Sequence, residues 1–189
     1  MEIWKLVITL KTDFHTAGVT KGSTIDVLKD EKCVYIPASH IKGVIRTEAE
    51  RIIKGLNKEL RIVDILFGPE EQESKSDGEY IEPKLKFLDA VSSIGKIIER
   101  HHVKIEIETG SSEGHALFTQ KTIPAGTVFT SFMFIRGNGG LTPEEKKLLD
   151  AAIMSTEHYG LGGSRSSGLG SVAIEWKKSS INELREVLG

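Results

Sequence analysis

The sequence contains a single cysteine, Cys33, among its 189 residues. One thiol cannot close an internal disulfide, and a cysteine-ligated zinc site would need thiols from another chain. We therefore interpret Cys33 as a small side chain of the core or of a loop. Asn and Gln are also scarce, whereas Lys, Glu and Ile are frequent. This balance is typical of proteins that work at high temperature, and it indicates a thermophilic source.

The sequence also lacks a long apolar run and a signal-peptide pattern. No stretch approaches the roughly 20 apolar residues that span a bilayer, and Met1 leads directly into alternating strand residues. We expect a cytoplasmic protein with no membrane partner. With 39% apolar and 28% charged residues, the chain fits one compact domain, residues 1–189, that buries its own core.

An excess of positive charge is missing as well. The net charge is −2, whereas proteins that bind nucleic acid over their whole surface usually carry a strong basic excess. Acidic residues are concentrated in segment 68–83, which we interpret as a polar linker. The basic residues outside this segment leave room for a local basic face. We expect nucleic acid to bind only at such a face.

Hydrophobic periodicity predicts an α+β fold. Alternating patterns predict strands at 2–11, 85–91, 103–107, 128–135 and 172–176, and helical spacing predicts helices at 37–56, 59–67, 142–159 and 180–188. Ser39 is the expected N-cap of the first helix, and a capping box from Thr142 to Glu145 is expected to open the helix at 142–159. Without insertions, the longer elements follow the βαββαβ order of the ferredoxin-like fold, which RNA-recognition modules share. The insertions are a long functional loop, 13–36, and a hairpin or arm, 109–121.

A glycine-rich run, 160–170, lies between the predicted helix at 142–159 and the last predicted strand. Glycine permits positive φ and close backbone approach, so successive N–H groups can face an anion while Arg165 supplies charge. A flexible connection without a ligand is the alternative. The order helix, loop, strand is the reverse of nucleotide-binding loops. It favours an extended polymer such as RNA.

Four segments in order, 10–15, 25–30, 35–46 and 160–170, resemble the RAMP superfamily of CRISPR effector complexes. They are most similar to the repeated backbone subunits that line the guide RNA in type III complexes, and the resemblance covers nearly the whole chain. Ala38 and His40 depart from the family pattern at the helix start. The resemblance implies an antiviral ribonucleoprotein whose partners are guide RNA, target RNA, other RAMP subunits and copies of this chain.

The resemblance also implies an RNA-binding set. A helix N-terminus suits a phosphate, Lys42 and Arg46 lie four residues apart on one helical side, and Gly43 leaves room for close approach. A solvated basic face is the alternative. The expected RNA-binding residues are His15, Ser39, Lys42, Gly43, Arg46, His115, Phe118, Gly162, Gly163, Ser164 and Arg165. In the thumb-like insertion, 109–121, Phe118 or Leu117 would act as a wedge between guide and target.

Asp26 resembles the loop aspartate with which type III backbone subunits cut target RNA in a divalent-metal-dependent way. Asp26 would either hold hydrated Mg²⁺ or another divalent cation, or help to move the proton of the attacking 2′-hydroxyl. Asp13 and Asp30 are candidates for a second carboxylate. Two alternatives stay open. One is a structural RNA-binding subunit with an inactive Asp26, and the other is a metal-independent endoribonuclease that processes guide precursors.

Overall fold

The computed structural model describes residues 1–21, 24–31, 33–69, 82–93, 95–105, 112–137 and 139–188. The strands in these ranges are β1 (Glu2–Leu10), β2 (Ala17–Lys21), β3 (Thr24–Val27), β4 (Cys33–Ile36), β5 (Leu85–Phe87), β6 (Ala90–Ser93), β7 (Ile98–Ile105), β8 (Ser112–Thr122), β9 (Val128–Ile135) and β10 (Val172–Ser179). The helices are α1 (Ala38–Gly55), α2 (Arg61–Phe67), α3 (Pro143–Tyr159) and α4 (Ile181–Leu188), and Arg165–Ser167 form a 3₁₀ turn. No helix within the described ranges is long and apolar enough to cross a membrane.

The larger sheet carries the ferredoxin-like core. Its strand order is β10-β1-β9-β6-β4, and β5 also pairs with β9. In β1, Leu6 lies opposite Trp176 of β10 and Ser131 of β9, and both pairings are antiparallel. With β5 and β6 counted together as the second core strand, the spatial order is fourth, first, third, second. This arrangement confirms the predicted fold class.

Helices α1 and α3 pack against each other and complete the core of this sheet. Alternation in β1 buries Leu6, Ile8 and Leu10, while helical spacing in α1 buries Ile41 and Ile45. Each large apolar side chain contributes about 1.5–3 kcal/mol when it is fully buried. The start of α1 is therefore anchored by the core, which fixes the position of the residues beside it.

A second sheet has the order β2-β3-β8-β7. Strand β3 runs parallel to β8, with Ile25 opposite Gln120, and β7 and β8 form an antiparallel hairpin. Phe14, just after β1, bridges to Ile123, just after β8. This bridge joins the second sheet to the end of β1.

The prediction of a loop over 13–36 was wrong, because this segment contains β2, β3 and β4. These strands are only four or five residues long, too short for a clear alternating pattern. Two of them are completed by distant partners, since β3 pairs with β8 and β4 pairs with β6. Strand stability of this kind comes from cross-strand packing rather than from local propensity. A single-sequence pattern does not contain that information.

Several element boundaries also differ from the prediction. The pattern at 85–91 forms two strands, and the register against β9 shifts by one residue between them, since Phe87 lies opposite Met133 and Val91 opposite Thr130. Strand β7 begins at Ile98, earlier than predicted, and β10 extends to Ser179. Of the predicted arm, 112–121 is strand within β8, while 109–111 lies outside the described residues. Most of the acidic linker 68–83 lies outside them too.

Helix capping gave one confirmed and one wrong prediction. At α3, the Thr142 hydroxyl accepts from the Glu145 N–H (3.2 Å) and the Glu145 carboxylate accepts from the Thr142 N–H (2.7 Å), which is the predicted capping box. At α1 the N-cap is Pro37, not Ser39, and Ser39 lies inside the first turn. The Ala38 N–H instead donates to Asp89 Oδ1 at 2.7 Å. A carboxylate from the distant β5–β6 connection thus takes the place of a local cap.

Candidate nucleic-acid interface

The glycine-rich loop 160–170 is closed by its own backbone. The Leu161 N–H donates to the Gly170 carbonyl at 2.8 Å. Two further bonds tie the loop to the segment after β1, from Gly163 N–H to the His15 carbonyl and from Gly170 N–H to the Asp13 carbonyl, both 2.9 Å. The loop therefore has a defined conformation against residues 13–15.

Three glycines of this loop, Gly160, Gly162 and Gly170, allow contacts that a side chain would block. At Gly170, with φ of +79°, an added Cβ would lie 1.9 Å from the Leu161 carbonyl oxygen. At Gly162, with φ of +82°, it would lie 2.5 Å from the His15 carbonyl oxygen. Gly163 differs, because the nearest atom to its added Cβ is 3.6 Å away. The requirement for glycine is therefore specific to certain positions of the loop.

The exposed turn of the loop has backbone N–H groups without a described hydrogen-bond partner. The N–H groups of Leu161, Gly162, Gly163 and Gly170 are all bonded. Among the described contacts, no hydrogen bond uses the N–H groups of 164–166, which open the 3₁₀ turn. Ser164 and Arg165 are exposed, as their predicted role requires. Gly162 and Gly163, also predicted to bind RNA, are placed where they shape the loop.

His15 lies beneath the loop rather than on its surface. The residue is 5% exposed, and its ring Nδ1 lies 2.8 Å from the Lys121 carbonyl oxygen of β8. A carbonyl oxygen can only accept, so Nδ1 carries the proton in this contact. The structure thus brings His15 together with Gly162 and Gly163, and it links all three to the second sheet.

Two cavities meet at Ser39, at the start of α1. One, of about 220 Å³, lies towards the glycine-rich loop and is lined by Arg51 and Arg165 among others. The other, of about 310 Å³, lies towards β5 and is lined by Lys42, Lys86 and Arg136. The first turn of α1 contains no acidic residue. We call the surface formed by Ser39, Lys42, Gly43 and the loop 160–170 the α1–loop interface.

Lys42 has an ammonium group without a counter-charge in the described part of the chain. Burial, with a smaller effect from the Arg46 charge, lowers the pKa of Lys42 below its ordinary value. Both effects disfavour the charged form, and a bound anion would reverse them. The position predicted to bind phosphate is therefore one where an anion would be stabilising.

Arg46, predicted to bind the next phosphate, is engaged inside the protein. Its Nε lies 2.7 Å from Glu50, its Nη2 lies 3.1 Å from Asp64, and Nη1 donates to the Gly68 carbonyl. The side chain is only 17% exposed. Arg46 thus fixes α2 and the following residues against α1. Its spacing from Lys42 suggested a shared role, but the Arg46 guanidinium is bound by Glu50 and Asp64, whereas no described acid binds Lys42.

His40 connects α1 to the loop, a role that sequence reasoning missed. The Gly162 N–H donates to His40 Nε2 at 2.9 Å, so this nitrogen must be unprotonated. Burial, followed by the charge of Arg165, lowers the pKa of His40. The sequence did carry a signal, because His40 departs from the family pattern at the helix start. That departure marks a loop contact made by the side chain.

Asp26 lies on β3, with its side chain 23% exposed. Its Oδ1 accepts from the Val27 N–H at 2.9 Å, and its Oδ2 lies 3.3 Å from Lys29 Nζ and 3.6 Å from Lys121 Nζ. Burial raises the pKa of Asp26, but the Val27 amide and the two ammonium groups outweigh burial, and the net pKa is lowered. Asp26 is a carboxylate at neutral pH. Its pairing with the distant Lys121 had no signal in the sequence.

The surroundings of Asp26 do not fit a metal ion. Within the described ranges, no group of three or more His, Cys, Asp or Glu side chains could hold one. Asp13 is bound by Arg100 at 2.7 Å and by the Ala125 N–H at 3.0 Å, and Asp30 accepts from the Cys33 N–H at 2.7 Å. The two ammonium groups beside Asp26 would repel a cation. The described residues alone therefore do not provide a divalent-metal site.

Phe118 lies in the body of the β7–β8 hairpin. It pairs in register with His102, and the two rings stack with 5.0 Å between their centroids. The ends of β7 and β8 meet farther along, where Ile105 pairs with Ser112. The predictions for His115 and Leu117 concern side chains outside the described part of the structure.

Residues 7–173 match the sequence model of the RAMP superfamily. No curated protein sequence matches the chain. A chain of the type III-B Cmr-beta complex bound to cognate target RNA has a similar structure, with a TM-score of 0.69 at 13% identity over 93% of this chain and 97% of that chain. A chain of a type IV-B CRISPR complex gives a TM-score of 0.67 at 15% identity, over 95% of this chain and 92% of that chain.

Proposed function

Because the chain belongs to the RAMP superfamily, we propose that it is a guide-RNA-binding backbone subunit of a type III CRISPR interference complex. The observation that carries this proposal is the α1–loop interface, where two cation-lined cavities meet at Ser39 beside a loop of defined shape. The similarity in fold to chains of a type III-B complex and of a type IV-B complex supports a place in a CRISPR complex.

The chemistry of the interface suits an RNA backbone. The chain carries a net charge of −2, yet the two cavities that share Ser39 are lined by five cations, Lys42, Lys86, Arg136, Arg51 and Arg165, of which Arg51 is paired with Glu48 and Arg136 with Glu82. The start of α1 adds the positive end of the helix dipole, although the N–H groups of Ala38, His40 and Ile41 are already bonded within the protein. Contacts to phosphate carry no sequence information. An interface of this kind would hold guides of any sequence.

The first test is to purify the tagged protein from its own cells, sequence the RNA that accompanies it and identify the accompanying proteins. We expect guides of uniform 5′ end, derived from repeats, together with related RAMP subunits and copies of this chain. A protein recovered without RNA and without partners would contradict the proposal.

The second test measures how RNA affinity depends on salt. Each lost phosphate contact should reduce the slope of log K against log salt by about 0.7 for single-stranded RNA. We expect this reduction for Lys42→Ala. Lys54→Ala is a matched control on the same helix, since Lys54 lies in the last turn of α1 and is 64% exposed. An equal effect of the two changes would remove Lys42 from the site.

We further propose that Asp26 takes part in cutting the bound target RNA. The supporting observation is a carboxylate held at neutral pH between two ammonium groups, Lys29 and Lys121. The 2′-oxygen would attack the adjacent phosphorus and pass its proton to Asp26, while the bond to the 5′-oxygen breaks. An ammonium group would stabilise the phosphate charge and protonate the leaving oxygen. A divalent cation stays a prediction, and it would have to be held with groups from outside the described residues.

Cutting by the assembled complex tests this role. Asp26→Ala should abolish cutting with guide and subunits still bound, whereas Glu99→Gln, an exposed carboxyl in the same sheet, should cut normally. Unchanged cutting by Asp26→Ala would favour the structural RNA-binding subunit. Cutting of repeat RNA by the isolated protein in EDTA would favour the guide-processing nuclease.

A further inference from the structure

An exposed aromatic side chain lies beside the α1–loop interface. Tyr159, the last residue of α3, is 51% exposed, although the guanidinium of Arg51 lies over its ring at 4.9 Å from the centroid. His158 meets the same ring edge-on, with 5.2 Å between centroids and an interplanar angle of 83°. The Tyr159 ring is therefore held in place by contacts and still presents much of its surface to solvent.

Arg51 is itself held by a buried acid. Arg51 Nη1 lies 2.8 Å from Glu48 Oε1, and Glu48 Oε2 accepts from the Ser155 hydroxyl of α3, also at 2.8 Å. Glu48 is 2% exposed. These contacts link α1 to α3 and define where the guanidinium lies. The Tyr159 ring thus rests on a support that is fixed before any ligand arrives.

Stability alone does not account for this arrangement. The apolar side chains of α1 and α3 already join the two helices, and they include Ile45, Ala49, Leu149 and Ala152, each with no exposed surface. A cation–π contact at an exposed site adds little to the stability of this helix–helix contact. A large aromatic ring that is held in place and still half exposed offers a face on which a base can stack.

The Tyr159 ring and the Arg51 guanidinium beneath it, here called the platform, continue the α1–loop interface. Ser39, Gly43, Thr47 and Arg51 follow one another at four-residue intervals along α1 and line the same cavity as Arg165. At 1.5 Å per residue, this stripe is about 18 Å long. Tyr159 also directly precedes Gly160, where an added Cβ would lie 2.7 Å from the Gly170 carbonyl oxygen. The ring is thereby fixed at the base of the loop.

We propose that Tyr159, supported by Arg51, stacks on one unpaired base of the RNA whose phosphates bind at the start of α1. This inference rests on the proposed function and extends it from phosphate binding to base stacking. Every base has a π-face, so the contact would tolerate any sequence. A protein partner could also use Tyr, Arg and His side chains. RNA is favoured here because the platform is continuous with a cation-lined cavity and the exposed loop turn.

The test compares two labelled probes on the full chain, an oligouridine and an oligonucleotide of equal length with abasic riboses. Tyr159→Ala should weaken oligouridine binding by about 5- to 100-fold and leave the salt slope unchanged, because no phosphate contact is lost. Tyr159→Phe keeps the ring and should bind as the wild type does. The abasic probe should bind wild type and Tyr159→Ala equally.

Lys42→Ala provides the contrast, since it should flatten the salt slope for both probes. Normal oligouridine binding by Tyr159→Ala, or an equal loss for both probes, would overturn the inference while a flattened slope in Lys42→Ala leaves the proposed function standing. A defect only in subunit association would assign Tyr159 to a protein contact and would also overturn it. A wild-type chain that binds neither probe contradicts both proposals.

Discussion

The α1–loop interface and the sheet that carries Asp26 differ in how their charges are balanced. Lys42 has no described counter-charge, and burial lowers its pKa, so a phosphate arriving there would supply a missing partner. Asp26 already faces Lys29 and Lys121. An RNA reaching Asp26 must compete for those ammonium groups. Under the proposed function, RNA would bind at Lys42 without displacing an internal partner, whereas cutting at Asp26 would require existing ion pairs to change.

The comparison assumes that the loop 160–170 is held rigidly beside α1. A substitution within this loop should therefore have the largest effect on the free energy of unfolding. Gly162→Ala would place a Cβ against the His15 carbonyl at a φ of +82°. We expect a loss of about 3 kcal/mol in the free energy of unfolding, from overpacking and backbone strain together. Urea denaturation measures it. Gly163→Ala, whose added Cβ would meet His15 only at ordinary van der Waals distance, should stay within about 0.5 kcal/mol, and equal losses would show that the loop is not held as described.

The second largest effect on stability distinguishes two cations of α1, Arg46 and Lys42. Arg46→Ala leaves Glu50 and Asp64 without their guanidinium and should lower the free energy of unfolding by about 2 kcal/mol. Lys42→Ala should change stability by less than about 0.5 kcal/mol. Thermal unfolding of both variants, measured beside their RNA affinities, checks the division. A stable Arg46→Ala variant with a flattened salt slope would instead return Arg46 to the RNA-binding set.

A smaller effect is expected at Asp26. Asp26→Asn removes two partly exposed ion pairs, each worth about 0–1 kcal/mol. Stability should therefore change little at neutral pH, so that any loss of cutting reflects chemistry and not unfolding. Denaturation of the isolated chain provides the measurement. A loss above about 2 kcal/mol would identify Asp26 as a structural residue.

The smallest effect concerns pH. Because burial lowers the pKa of His40, the unfolded chain binds more protons than the folded chain between the ordinary histidine pKa and the lowered one. This contribution to stability is complete above the ordinary value and is lost as the pH falls through the lowered pKa. His40→Gln keeps an acceptor for the Gly162 N–H and should remove this dependence. His101→Gln, a change at an exposed histidine, should retain it.

The sequence carried the core of the fold because its elements are long and regular. β1, β9, α1 and α3 each show a clear period, and the capping box at Thr142 marks the start of α3. The strands inside 13–36 were missed since they are short and pair with distant strands. Sequence alone therefore predicts the ferredoxin-like layer better than the sheet that carries Asp26.

The candidate site was predictable in its position and not in its contacts. The helix start and the glycine-rich run were identified, and the structure brings them together through His40 and Gly162. Helical spacing could not show that Arg46 turns towards α2 while Lys42 does not. It also could not show which glycines of the loop have a carbonyl oxygen in the way. Such facts depend on neighbours that are far away in sequence.

Two successive residues of β8 serve different parts of the molecule. The buried Gln120 lies 3.4 Å from the Ser164 hydroxyl of the loop, while Lys121 offers its carbonyl to His15 and its ammonium to Asp26. Successive side chains of a strand point to opposite faces, so inserting one residue before this pair would exchange their directions. Substitutions would change one contact at a time, but a change of length would lose all of them together. In this strand, the number of residues constrains the protein as strongly as their identity.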